Sequence, residues 1–273
     1  MQILKEVADK QQNGLPCYFK GGTALYKALN NMIRFSEDID LSVDVRGLSN
    51  NQKKVYLNRS AKQFVSLPRD KAMSIGARQT TEEIYPYNPI SDAIEDDELE
   101  RIGKVKVEAT SFNISEPVET IQISSLIYQF SDEQTRSILA SQYELAPFDI
   151  KIITLQRLFV DKLFAAEAYT RRSDDEHRAV EAAKHIYDLH IMKNLPVIVD
   201  LMNDMQQMQY LLRVRLEEET VRKDGVNYLF SRGCNDQDIA ENSGLSTNQV
   251  KELRRAFIYK GNSIKKDTSI APH

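Results

Sequence analysis

The sequence predicts an α/β (α+β) fold: a small mixed sheet with flanking helices, followed by a helical C-terminal domain. Period-two alternation is confined to the first 153 residues, where five short strand patterns sit among helical ones, and beyond them only helical spacing remains. The chain has 273 residues, 41% hydrophobic and 28% charged, which suffices for a substantial core of ordinary globular composition. The predicted division is a core over 1–153 and a helical domain over 154–273 that completes the core's site.

Composition excludes several classes. The first ten residues read as an amphipathic helix with no signal-peptide apolar region. No apolar run approaches the roughly 20 residues that span a bilayer. Two cysteines, Cys17 and Cys234, are too few for a disulfide framework and point to a reducing cytoplasm. A net charge of −4 argues against a nucleic-acid footprint over the whole surface. Residues 221–273 nevertheless hold nine Lys/Arg against six Asp/Glu, a basic end that permits a local contact.

The stretch 17–45 organises the rest. Tyr18 and Phe19 are strand formers, and Gly21 and Gly22 end the strand and let backbone approach something closely. Thr23 is placed to cap a helix whose apolar positions are Leu25, Ala28, Leu29 and Met32. A helix N-terminus behind two glycines offers backbone N–H groups and a positive dipole end to a phosphate. From Asp38 the chain alternates, with Ile39, Leu41, Val43 and Val45 on one face and Asp38, Asp40, Ser42 and Asp44 on the other. Carboxylates at i and i+2 suit a hard divalent cation, and the plain alternative is a solvated acidic face. Ser36 points the same way if the strand reaches back that far.

After this strand, 48–67 reads as a helix, 70–100 is poor in pattern, 85–89 reads as a turn, and 95–100 is an acid cluster. Alternation returns over 104–112, with Lys104, Lys106 and Glu108 on one face; a salt bridge to a neighbouring lysine is the plain reading of Glu108. Strands at 118–123 and 148–153 bring the sheet to about five. A helix from 154 to about 169 carries Leu155, Leu158, Phe159, Leu163 and Ala166, with Lys162 inside that stripe, where it must snorkel out or meet an anion. The next helix, 177–192, places Val180, Ala183, Tyr187 and Ile191 at core spacing. On that reading Asp188 falls on the polar side, four residues from Lys184, as an ordinary ion pair. His185 and His190 read as structural, and 196–222 as one further helical region.

Four pieces in order carry a family resemblance. Gly21-Gly22-Thr23-Ala24-Leu25, Arg34-Phe35-Ser36-Glu37-Asp38-Ile39-Asp40-Leu41, Asp161-Lys162-Leu163 (Asp for Glu) and Ile186-Tyr187-Asp188-Leu189 resemble the motifs of the AbiEii/AbiGii-type toxin family, within the DNA polymerase β-like nucleotidyltransferase superfamily. The resemblance implies Mg²⁺ (or Mn²⁺) on Asp38 and Asp40, and nucleotide phosphates held by Gly21, Gly22, Thr23 and Lys162. It implies that Ser36 orients those phosphates, that Glu108 is a third carboxylate serving as ligand or base, and that Asp188 assists the metal or the acceptor hydroxyl. It also implies an NTP substrate, an RNA (tRNA) acceptor, a cognate antitoxin and a role in phage defence. A longer helical segment ahead of the glycines would fit the family pattern.

Residues 235–255 resemble a helix-turn-helix, with Ala240, Gly244, Val250 and apolar Ile239, Leu245 and Leu253; Arg254 and Arg255 would then meet phosphates. A packed helical subdomain satisfies the same pattern. Two other classes therefore stay open beside an RNA-directed transferase. A small-molecule, antibiotic-type nucleotidyltransferase would act without RNA. A non-catalytic nucleic-acid-binding protein would depend on the tail and not on Asp38.

Overall fold

The computed structural model describes residues 1–31, 36, 38–76, 79–89, 103–112, 114–170, 176–221, 230, 233–243, 246–248 and 250–255. Around the alternating segment the chain builds a seven-stranded mixed sheet. Its strands are β1 (Cys17–Lys20), β2 (Ile39–Val43), β3 (Asp70–Gly76), β4 (Thr80–Pro86), β5 (Lys104–Thr110), β6 (Val118–Ile123) and β7 (Phe148–Ile153). They lie side by side as β3-β4-β5-β2-β1-β7-β6. β2 pairs parallel with β5 and β1 parallel with β7, and every other pairing is antiparallel.

The alternation of β2 decides what each face does. Ile39, Leu41, Val43 and Val45 are all buried in a core shared with Cys17, Phe19, Val107, Ala109, Ile150 and Ile152. Helices α1 (Gln2–Gln12) and α3 (Asn50–Ala61) cover that face through Ile3, Leu4, Val7, Leu57 and Ala61. Gln11 is buried with them because its amide is fully used: it donates to Cys17 O (2.8 Å) and Lys151 O (2.9 Å) and accepts from the Lys151 N–H (2.8 Å). Helix α2 (Gly21–Leu29) follows β1 directly and stops at Asn30, which takes the left-handed conformation (φ 52°) that often closes a helix.

The sheet has seven strands rather than about five, because 70–86 forms the β3–β4 hairpin. Of the inward positions of β4, Thr81 and Glu83 are polar and only Tyr85 is an aromatic hydrophobe, so no apolar alternation marks the strand. β3 lies at the sheet edge with Met73 and Ile75 exposed. The expected turn at 85–89 begins only after Pro86. The expected helix over 48–67 is shorter. Ser49 and Gln52 close a capping box at its start, and after Ala61 the chain leaves the helix. There Phe64 packs edge-on against Tyr85 (5.5 Å between rings), and the Val65 and Ser66 N–H groups donate to Glu6. Helices α4 (Leu126–Phe130) and α5 (Glu133–Tyr143) bury no residue. The acid cluster at 95–100 lies outside the described residues.

Helices α6 (Leu155–Thr170), α7 (Glu176–Met192) and α8 (Pro196–Asn203) complete a compact unit, Met1–Asn203. This first compact unit takes in helices α6, α7 and α8 together with the sheet. In α6 the buried face runs through Arg157, Leu158, Phe159, Val160, Lys162 and Ala166, and Leu163 is exposed instead of buried. In α7 the expected face is turned outward: Val180, Ala183 and Tyr187 are exposed, while Ala182, Asp188 and Met192 are buried. His185 stacks on Tyr169 with ring centroids 5.5 Å apart.

Asp204–His273 form a second compact unit. The helical region expected over 196–222 is broken at Asp204, whose carboxylate accepts from the N–H groups of Gln206 and Gln207 at the start of α9 (Met205–Val221). Helix α10 (Asp236–Ser243) packs on α9, and Phe230, Ile239 and Val250 form a small core. Leu253, expected in that core, is exposed, and Gly244 and Leu245 lie outside the described residues. Arg254 is turned inward rather than toward a phosphate. It donates to Asp236 (2.5 Å) and to the Cys234 carbonyl, and stands 4.4 Å from the Phe230 ring centre.

Candidate active site

The site face of the sheet is the polar half of the β2 alternation. Asp40 pairs across β2–β5 with Glu108, and Glu108 pairs across β4–β5 with Glu82. On its other side Asp40 pairs with Lys20. Three carboxylates and one lysine therefore stand in a row across four strands. Lys106, two residues before Glu108 on the same face, reaches Asp38 at 2.8 Å. Burial, and then the neighbouring Asp38 charge, push the Asp40 carboxyl above its ordinary range against the pull of Lys20, Lys106 and Lys162. Burial and the Asp40 charge likewise raise Glu108. Burial opposes the Lys106 charge, but its hydrogen bond to Asp38 and the surrounding acids raise it on balance. Carboxylates raised by burial and by one another are the electrostatic mark of a functional cleft.

The backbone closes on this row at Gly21. A Cβ there would lie 2.0 Å from Asp40 Oδ2, and φ is +82°, so both space and conformation exclude a side chain. Gly21 opens α2, and its N-terminus carries no side-chain cap. Thr23 does not cap the helix, as the sequence suggests, but lies inside it and donates from Oγ1 to Ser36 Oγ at 3.0 Å. Ser36 precedes β2 rather than extending it, and reaches the site through that hydrogen bond. Gly22 is buried within α2.

Lys162 meets an anion. Its Nζ lies 2.6 Å from Asp188 Oδ2, and both side chains are buried. Asp188 does not pair with Lys184, which bonds to Glu181 instead. The Tyr26 hydroxyl donates to Asp188 Oδ1 at 2.6 Å. Asp161, beside Lys162 in the motif, pairs with Arg157 at 3.1 Å. Arg157 is itself buried and donates to the carbonyls of Ile114 and Glu116.

Sequence reasoning missed Glu82 and Tyr26. Glu82 sits on a strand with no apolar alternation, and its place beside Glu108 exists only through strand pairing. Tyr26 carries a signal in hindsight: it lies one turn after Thr23, in a helix whose buried positions include Gly22, Ala24 and Leu25. A buried Tyr must find a partner for its hydroxyl.

Among the described residues, no group of three His, Cys, Asp or Glu side chains is arranged to hold a metal by itself. The donor set still fits a hard cation of the Mg²⁺ kind, which takes one or two carboxylates and completes its shell with phosphate oxygens and water. Asp38 and Asp40 are the carboxylates that would supply oxygens to it, and Gly21 keeps the approach to Asp40 clear of side-chain atoms. Among the described residues, no helix is long and apolar enough to cross a membrane.

The glycine turn thus stands against paired carboxylates on a mixed sheet, with Lys162 of a later helix near enough for its charge to act on Asp40. The model of the nucleotidyl transferase AbiEii toxin family of type IV toxin–antitoxin systems matches residues 2–258, nearly the whole chain, and the protein belongs to that family. No curated protein and no solved structure matches the chain significantly.

Proposed function

We propose that the protein moves a nucleotide from an NTP to a hydroxyl of an RNA acceptor of the tRNA kind, in a reaction that depends on Mg²⁺ or Mn²⁺. The observation that carries this reading is the approach of Gly21 to Asp40 beside Glu108. It joins a phosphate-type helix start to a cation-type carboxylate pair. The backbone N–H groups of Gly21, Gly22 and Thr23 bind the triphosphate at the N-terminus of α2, with Ser36 held in place by Thr23. Lys162, fixed by Asp188, offsets the phosphate charge. Asp38 and Asp40 hold the divalent cation, with Glu108 as a third oxygen beside them. When bound, the cation supplies Lewis-acid stabilisation of charge on the transferring and leaving oxygens. The acceptor oxygen bonds to the α-phosphorus, the bond from that phosphorus to the β-phosphate oxygen breaks, and pyrophosphate leaves. The hydroxyl proton passes to Glu108, the carboxylate paired beside Asp40, whose hold on a proton is strengthened by burial and by the Asp40 charge.

NTPs and RNA place this reaction in the cytoplasm, and the type IV family supplies the expectation of a cognate antitoxin that counters the modification, with phage defence as its setting. The test is label transfer. Purified protein is incubated with Mg²⁺, each α-labelled NTP in turn and total cellular RNA, beside Asp38→Ala. A labelled RNA band that disappears in the variant is expected. A label that survives in Asp38→Ala would exclude the mechanism, and a label that appears only on small molecules would replace the acceptor.

A further inference from the structure

The Lys162–Asp188 pair has a third member that the transfer chemistry does not use. Among the described residues, the Asp188 carboxylate meets Tyr26 Oη at Oδ1 and Lys162 Nζ at Oδ2, each at 2.6 Å. Each group comes from a different helix: Tyr26 from α2, Lys162 from α6 and Asp188 from α7. All three are nearly excluded from solvent, at 6%, 7% and 0% exposure. In such surroundings an ammonium points where its counterion points. Donors on separate oxygens hold the plane of that counterion more firmly than a donor on one oxygen does. Tyr26 also stands one turn behind Thr23 in the helix that opens at Gly21. The hydroxyl therefore ties the place of Lys162 to the helix N-terminus.

We propose that Tyr26 is a positioning residue. Its hydroxyl sets the plane of Asp188, and through it holds the Lys162 ammonium in line with the start of α2, so that both reach the same phosphates. The inference rests on the nucleotidyl-transfer reading.

The test uses the full chain as Tyr26→Phe, Lys162→Met and the double variant, with Lys162→Gln in place of Met should the latter not fold. Two groups acting through one carboxylate are coupled, so the unfolding losses of the single variants should not add in the double. With Mg²⁺ and NTP, Tyr26→Phe should raise the NTP KM by about tenfold, the scale seen when a supporting hydrogen bond is removed, and change kcat less. In the Lys162 variant the same substitution should change nothing further. Additive unfolding losses in a chain that binds NTP would overturn the positioning role alone. So would a tenfold KM effect that persists without Lys162. A coupled unfolding cycle in a wild-type chain that binds no NTP would overturn the nucleotidyl-transfer reading, and the positioning role with it.

Discussion

Glu82 and Glu83 are neighbours in sequence and stand on opposite faces of β4, and the protein treats their charges in opposite ways. Glu83 faces the core with 1% of its side chain exposed. It is met by Arg69 at 2.8 Å, by Lys62 at 3.3 Å and by the Thr81 hydroxyl at 2.5 Å. Glu82 faces the site, opposite Glu108, which is opposite Asp40. On the core face one carboxylate has two cations and a hydroxyl. On the site face three carboxylates are in line, and two of them are raised, Asp40 by burial and the Asp38 charge and Glu108 by burial and the Asp40 charge. The first arrangement serves the fold, because a buried charge is tolerated only when it is paired. The second works against the fold and is suited to drawing in a cation and its phosphates. The Lys162–Asp188 pair stands between them. It is neutralised like Glu83 yet placed close enough for Lys162 to act on Asp40.

Substitutions that separate activity from stability sharpen this contrast. Asp40→Asn should have the largest effect, lowering transfer by about 10²–10³-fold, the scale for losing one preorganised stabilising group. Its thermal midpoint should hold or rise, because burial and then Asp38 disfavour the charge that is removed. A clear fall in midpoint would place Asp40 with the structural carboxylates.

Glu83→Gln should do the reverse. Its denaturant unfolding free energy should drop by about 3 kcal/mol, the lower end for breaking a buried pair, since Lys62 and Arg69 regain some water. NTP affinity should stay at the wild-type value. A stable variant with weakened NTP binding would mean that the two faces are not separate in function.

Glu108→Gln is expected to have the smallest effect on stability, a gain of roughly 0.5 kcal/mol at pH 7 from relieving like charges on paired strands, while transfer falls with the loss of the base. Its pH dependence carries the information. Because the folded pKa of Glu108 is raised, the folded chain keeps this proton longer than the unfolded chain. Below the ordinary value of 4.5 the variant should have no advantage. The advantage should grow as pH rises through the raised value and stay full above it. Melts at stepped pH that show a constant difference would remove Glu108 from the coupled row.

The sequence by itself determined the parts whose information is local. The alternation of 38–45 gave strand β2 and the sorting of its carboxylates from its apolar residues, because side-chain direction in a strand depends only on parity. The two glycines marked the turn, and helical spacing marked α1, α6 and the existence of α7. Tertiary structure alone decided what depends on pairing between distant segments. Glu82 and Glu108 meet Asp40 through strand neighbours that no local pattern encodes. The apolar pattern of helix α7 points the wrong face inward because its buried face contains Asp188, and a pattern that assigns only apolar residues to the core turns such a helix outward. That carboxylate is buried because Lys162 and Tyr26, 26 and 162 residues away in the chain, supply its counter-charge and hydrogen bond. Burial of a charge is a property of its partners.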